Sequence, residues 1–289
     1  MTYGQLKFRL VKTFPGIDPD LLESYISEAY QDILGALNWE RLKASAILQT
    51  TAPYSTGSVA VTKGSASVTI TGGAFTSLMS GRAFRVTGRT EYYEFTYSSG
   101  TLGSFDRVYE GDTNAAAGYS IFQHVYPLPA NCRFLEDDAF SLFDCGPLER
   151  KVRGELDDAY PGRTISGKPS VWAAYMDDSS TPPRMQVELL PVPDAAYGIP
   201  FSYVAETDSP TETSTAILPW VQPSALIEFA SAKIYRSPKF KDLAMVAACR
   251  AEGDRYLLQM MLTDAKRRGR TRMELDHNWT DYRVRRTCR

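Results

Sequence analysis

Residues 266–272 read KRRGRTR, five basic side chains in seven positions, and the stretch that follows adds Arg283, Arg285 and Arg286 around Leu275, Trp279 and Tyr282. Guanidinium and ammonium groups at this density make charge-assisted hydrogen bonds to phosphates or carboxylates. Two chemistries compete for them. Lys266, Arg267, Arg268, Arg270 and Arg272 could neutralise a nucleic-acid backbone. Alternatively, the segment docks onto an acidic protein partner, with Trp279 and Tyr282 as anchors of the kind that carry most interface energy. A plain solubilising end is the third reading, but such ends rarely need Leu275, Trp279, Tyr282 and Val284. Nine Lys/Arg against four Asp/Glu between Thr263 and Arg289 give +5, so a chain of net charge -2 carries -7 elsewhere. That blocked pattern marks an interaction tail, and so acidic a body is not a general DNA-coating surface.

The rest of the chain offers little to a catalyst. Its two histidines are His124, inside the alternating run IFQHVY, and His277 in the tail. Neither has a cysteine or carboxylate at ligand spacing. Asp137–Asp138, Asp157–Asp158 and Asp177–Asp178 read as solvated loop and cap residues. TITGGAF lacks the Lys–Ser/Thr that completes a phosphate loop, and no GxSxG elbow is present. The four cysteines are scattered without a CxxC pair, which fits a reducing compartment without disulfides. No cofactor and no metal are expected. No apolar run is long enough to span a bilayer, and MTYGQLKFRL has no secretory h-region. Aromatic residues are more suggestive. Tyr93, Phe95 and Tyr97 share one face of a strand and Tyr92 the other, a pattern for a core, a protein interface, or a face that binds sugars or single strands.

These residues need elements to hold them. Residues 2–13 predict a short amphipathic helix with Leu6, Leu10 and Val11 on one side. Asp18 and Pro19 then form a cap-then-proline start for a helix over 19–39, with Leu22, Ile26, Ala29, Ile33 and Leu37 at helical spacing. From Ser55 to Pro127, short period-two runs such as SVAVT, SVTIT and EYYEFTYS predict five or six strands of a small antiparallel barrel or sandwich. Leu148, Val152 and Leu156 mark a weak helix, and SVWAAYMDD, RMQVELLPVPD and GIPFSYVAETD read as strands whose prolines argue for edges or ends. Residues 207–216 read as a polar linker. Helices return over 221–236 and again from Ser237–Pro238, the second running into the basic tail, with Gly253 inside it and Gly269 as its stop.

The fold class is therefore α+β. N- and C-terminal helices form an α-helical bundle, antiparallel β-barrel or sandwich segments are inserted in it, and an extended C-terminal tail follows. The expected divisions are 1–50 and 219–268 for the two parts of the bundle, 51–127 for the inserted barrel, 128–218 for a mixed β-rich segment, and 269–289 for a docking arm.

Four stretches in order, spanning nearly the whole chain, carry a resemblance: IDPDLLESYISEAYQDILGALNW, the β-run from GSVAVTKGSASVTITGG to GYSIFQHVYPLP, MQVELLPVPDAAYGIPFSYVAE, and LPWVQPSALIEFASAKIY with its long helix and basic tail. Together they resemble the head-to-tail adaptor, or connector, proteins of tailed bacteriophages, of the podophage tail tubular protein A type. The β-insert is longer than a minimal helical connector has. The resemblance implies a structural virion protein at the head–tail junction, assembled in the host cytoplasm, and not an enzyme. It implies a homo-oligomeric ring of twelve that docks under the portal protein and meets the tail nozzle or tube. Viral DNA would pass through the channel, without a membrane partner. On this reading Lys266, Arg267, Arg268, Arg270, Arg272, Leu275, Trp279, Tyr282, Arg283, Arg285 and Arg286 dock the portal, and Tyr93, Phe95 and Tyr97 form a subunit or nozzle interface. The alternatives are a nucleic-acid-binding protein using the tail and a tail-associated glycan-binding protein.

Overall fold

The computed structural model describes residues 1–142, 146–178, 181–207, 210 and 220–267. It is a mixed α+β structure with five α-helices among the described residues: α1 (Tyr3–Thr13), α2 (Pro19–Gly35), α3 (Arg153–Ala159), α4 (Pro223–Ile234) and α5 (Leu243–Arg267). The chain divides into two compact units, one formed by Met1–Lys43 with Val204–Arg289 and the other by Ala44–Tyr203. The segment 51–127 and most of the β-rich segment after it thus lie in one unit.

In the helical unit, α1 opens with a reciprocal cap. Thr2 Oγ1 accepts from the Gln5 N–H at 3.3 Å, and Gln5 Oε1 accepts from the Thr2 N–H at 3.0 Å, which satisfies two donors that the helix start leaves free. Its buried stripe is Tyr3, Leu6 and Leu10, while Val11 turns to solvent. α2 is capped by Asp18, whose Oδ1 accepts from the Asp20 N–H at 2.9 Å, and Leu22, Ile26, Ala29, Tyr30, Ile33 and Leu34 are buried. The helix stops at Gly35, earlier than the periodicity predicts. Trp39 lies past the end, buried, and its Nε1–H donates 3.0 Å to the Ile33 carbonyl. The indole thereby satisfies one of the acceptors a helix C-terminus leaves open.

The C-terminal helices differ from expectation at one point. Ser237 does not restart a helix; its hydroxyl donates 2.7 Å to the Ile234 carbonyl and closes α4. The start of α5 is set by Asp242, whose Oδ1 accepts from the N–H groups of Ala244 and Met245 at 3.0 and 3.1 Å. Leu243, the first residue of α5, is exposed. α1, α2 and α5 all pack on α4, and the core they share includes Leu6, Ile26, Leu226, Ala230, Ile234 and Met260. Gly253 has a packing reason. The Phe229 ring lies against it, and an added Cβ would meet that ring at 3.2 Å.

The β unit begins with β1 (Lys43–Gln49), whose first residue belongs to the helical unit. Seven strands then form one sheet: β2 (Ser58–Val61), β3 (Ser67–Thr71), β4 (Arg82–Val86), β5 (Tyr93–Tyr97), β6 (Leu102–Phe105), β7 (Asn114–Ala117) and β8 (Tyr119–Phe122). Their order is β7-β2-β3-β6-β5-β4-β8, antiparallel throughout. The two end strands are successive halves of one run joined at Gly118, so the sheet is nearly closed. At that corner the Thr87 N–H donates 2.9 Å to the Gly118 carbonyl, and a Cβ on Gly118 would sit 2.8 Å from Thr87 Oγ1. A glycine is what lets the two backbones meet there.

Short strands β9 (Val125–Pro127) and β10 (Cys132–Phe134) follow. β9 joins a four-stranded sheet with Glu149–Arg150, Val171–Asp177 and Arg184–Leu190, while β10 and β1 flank the strand Gly198–Ala205. That last strand is central and not an edge, and its Pro200 is the third residue from its start, near a strand end. β10, at three residues, is too short to pair along all eight residues of its neighbour.

The aromatic strand β5 is a correction to the expected interface. Phe95 is fully buried and Tyr93 is 4% exposed, both inside the barrel. Phe95 lies 4.7 Å from Phe75 and 6.2 Å from Phe84, ring centre to ring centre. Tyr97 alone of the three is half-buried, at the end of the strand. Period-two spacing puts the three on one face, and the closed sheet makes that face its interior. Gly103 makes room for them, since an added Cβ would stand 2.1 Å from the Phe95 ring. Gly103→Ala should therefore cost about 2 kcal/mol in denaturant unfolding through overpacking. Gly100→Ala, where a Cβ meets nothing within 4 Å, should change stability little.

Candidate docking anchor and buried polar cluster

Of the predicted docking residues, Lys266 is exposed on the last turn of α5 and Arg267 is the final described residue of that helix. Arg268, Arg270, Arg272, Leu275, Trp279, Tyr282, Arg283, Arg285 and Arg286 lie outside the described residues, as does the expected stop at Gly269. What the structure does define is the place from which that segment starts. Asp264, 2% exposed, accepts the Glu40 backbone N–H with both carboxylate oxygens, at 3.2 and 3.1 Å. Glu40 opens a short 3-10 turn through Leu42, just after Trp39. Beside this contact Trp39 and Trp220 meet at 5.0 Å between ring centres. With Arg41, Gln222, Met260, Thr263 and Asp264 they line a cleft of about 190 Å³. A buried carboxylate held by a backbone donor is costly to displace. The end of α5 is thus fixed to the segment after α2 two residues before the basic run begins. The same unit exposes apolar side chains on α1, with Phe8 70% and Val11 43% accessible.

The β unit contains a site that sequence reading missed. Arg163, 6% exposed and held at φ 53°, donates from Nε to Glu188 Oε1 at 2.7 Å. It also donates from Nη1 to the Tyr160 carbonyl at 3.3 Å and from Nη2 to Asp157 Oδ1. Arg85, from β4, donates Nη2 to the Arg163 carbonyl at 2.7 Å and to that of Gly162, with its guanidinium 4.6 Å over the Phe122 ring. His124 completes the group between β8 and β9. Its Nε2 stands 3.8 Å from Glu188 Oε1, and Tyr92 and Phe122 pack against its ring. His124 Nδ1, Glu188 Oε2 and Arg85 Nε have no hydrogen-bond partner among the described residues. His124 thus lies between β8 and β9, and Asp157, though exposed as expected, also accepts from Arg163.

Electrostatics set the state of this histidine. Glu188 Oε1 is already taken by Arg163, and burial, with Arg163, Arg85 and Arg153 nearby, pushes the His124 imidazole down to about 4. The cluster joins α3, a short turn, β4 and the strand Arg184–Leu190 into one buried ion-pair network. Its members lie far apart in sequence and belong to no motif. The one legible signal was Glu188, a single carboxylate in the apolar run VELL. Among the described residues, no group of three or more His, Cys, Asp or Glu could hold a metal ion, and no helix is long and apolar enough to cross a membrane.

A histidine whose folded pKa is depressed gives stability that is full above its unfolded value of 6.5 and is lost as pH falls toward 4. Its contribution to the loss between pH 7 and pH 4.5 should be about 2–3 kcal/mol. His124→Gln should reduce the acid sensitivity of unfolding by that amount, measured by denaturant titration at the two pH values. An unchanged pH dependence would show that the imidazole is not held neutral.

No protein-family model matches this chain, and no curated protein matches it as a relative.

Proposed function

We propose that the chain is a structural adaptor of a tailed-phage virion, docking under the portal and joining head to tail. The observation that carries this reading is the anchored root of the basic segment. Asp264 and the Trp39–Trp220 pair fix the end of α5, and the next residues are the basic, aromatic-bearing stretch. A rigid origin followed by a basic arm suits a grip on a partner better than a solubilising end. Fully extended, residues 268–289 could reach about 75 Å, enough to cross a neighbouring subunit. On this reading the helices that share one core form the bundle of the ring body, with exposed α1 residues such as Phe8 at subunit contacts. Contacts between unlike faces close into a ring when the rotation per copy suits; the family resemblance supplies the number twelve. DNA passes through the channel, and the β unit is the part that meets the tail nozzle.

The test is direct. A chain ending at residue 265 should fold but fail to join portal rings, seen by electron microscopy of the mixture. Trp279→Ala or Tyr282→Ala should weaken docking about thirtyfold, and any single exposed Arg→Ala up to about fivefold. If the truncated chain joins portals with unchanged affinity, the docking role of the arm is lost.

The density of basic residues keeps one rival, a nucleic-acid-binding arm. Five phosphate contacts through Lys266, Arg267, Arg268, Arg270 and Arg272 would give DNA affinity a log–log salt slope of about -4. No binding at low salt removes that rival. The glycan reading rested on the aromatic strand, and the burial of Tyr93 and Phe95 leaves it without a surface.

A further inference from the structure

α5 is apolar on two sides. The inner stripe, Val246, Cys249, Gly253, Tyr256, Met260 and Asp264, is buried or half-buried, and Gly253 receives Phe229 of α4. The outer stripe is Ala244, Ala248, Ala251, Arg255, Leu258 and Leu262, all exposed, with Leu258 51% and Leu262 45% accessible. Its spacing alternates four and three residues, the repeat with which one helix packs along another.

The stripe is graded, with alanines in its first half and long side chains in its second. We propose that a second copy of this chain packs antiparallel on the outer face of α5, about a two-fold axis level with residue 253. That register sets Ala244 opposite the partner's Leu262, Ala248 opposite the partner's Leu258, and Ala251 opposite the partner's Arg255. Every large side chain then meets a small one, whereas parallel pairing would set alanine on alanine and leucine on leucine. Small residues let the helix axes come within about 8–10 Å, and antiparallel helices align their dipoles favourably. Arg255 does not leave a net charge in the contact, because its guanidinium bonds to Glu252 on the same helix and lies 5.1 Å over the Tyr256 ring.

The stripe is about 27 Å long. Its footprint is well below the roughly 800 Å² per partner of a standard stable interface, so pairing should be reversible, with a Kd of about 10 µM. An isologous contact also stops at two copies, unlike the heterologous contacts of a ring. Pairing of free copies would keep ring contacts from propagating before docking. The inference does not require the adaptor reading, since it concerns the chain alone.

Sedimentation equilibrium of the full chain tests it. The expected result is a concentration-dependent dimer that becomes monomeric in Leu258→Asp/Leu262→Asp with an unchanged melting temperature. Ala248→Leu and Leu258→Ala should each weaken the dimer about tenfold or more, and the double variant should return within about threefold of the parent, because the swap restores large against small. A chain that stays monomeric at about 100 µM, a dimer that survives the double Asp substitution, or a swap without rescue overturns the proposal. Portal binding by electron microscopy reads separately on the adaptor function.

Discussion

A charge taken out of water must be answered by another, and that constraint organises the β unit. Arg163 and Glu188 are buried together, and breaking such a pair costs far more than forming it gains. The surrounding geometry follows from this. Arg163 accepts a left-handed backbone, the exposed Asp157 of α3 accepts from its guanidinium, and Arg85 reaches from β4 to the carbonyls beside it. Burial first, and then the nearby Arg163, Arg85 and Arg153, push the His124 pKa down and favour its neutral form. Four segments are registered on one another by a network that apolar packing alone would leave free to slide.

Much of the architecture was legible because local chemistry and tertiary need agree. Asp18 before Pro19 started α2 as predicted, and the period-two runs between Ser55 and Pro127 became a nearly closed sheet. Legibility failed where two local signals compete or where the partner is distant. Ser237–Pro238 has the form of a helix start, but Asp242 offers a carboxylate to two N–H groups five residues later. Tyr93, Phe95 and Tyr97 were placed correctly on one face, yet nothing in a single strand tells inside from outside. The ion-pair network shows in the sequence only as Glu188, a lone carboxylate in an apolar run. The basic segment is legible only in composition, and what the fold adds is the fixed end of α5 at Asp264.

The two sides of α5 show how one helix can serve two purposes. Its inner stripe joins the helical core, where Gly253 trades helix propensity for contact with Phe229. The outer stripe leaves large apolar side chains in water, at a cost that a monomer gains nothing by bearing. The cleft between Trp39 and Trp220 lies at the far end of the same helix. A single rod therefore carries a packed face, an open face and the origin of the arm.

The interleaving of the two units bears on synthesis. α1 and α2 are made first, but their core needs Leu226, Ile234 and Met260, and Ala44–Tyr203 intervenes. At about 5–20 residues per second, the ribosome needs on the order of 10–40 s between Lys43 and Met260. During that interval the β unit, whose strands pair within one uninterrupted stretch, can close behind the tunnel while Leu22, Ile26 and Ile33 still lack their covering helices. A later part of the chain thus completes an earlier one, and α1 and α2 are the helices left uncovered while the β unit is made.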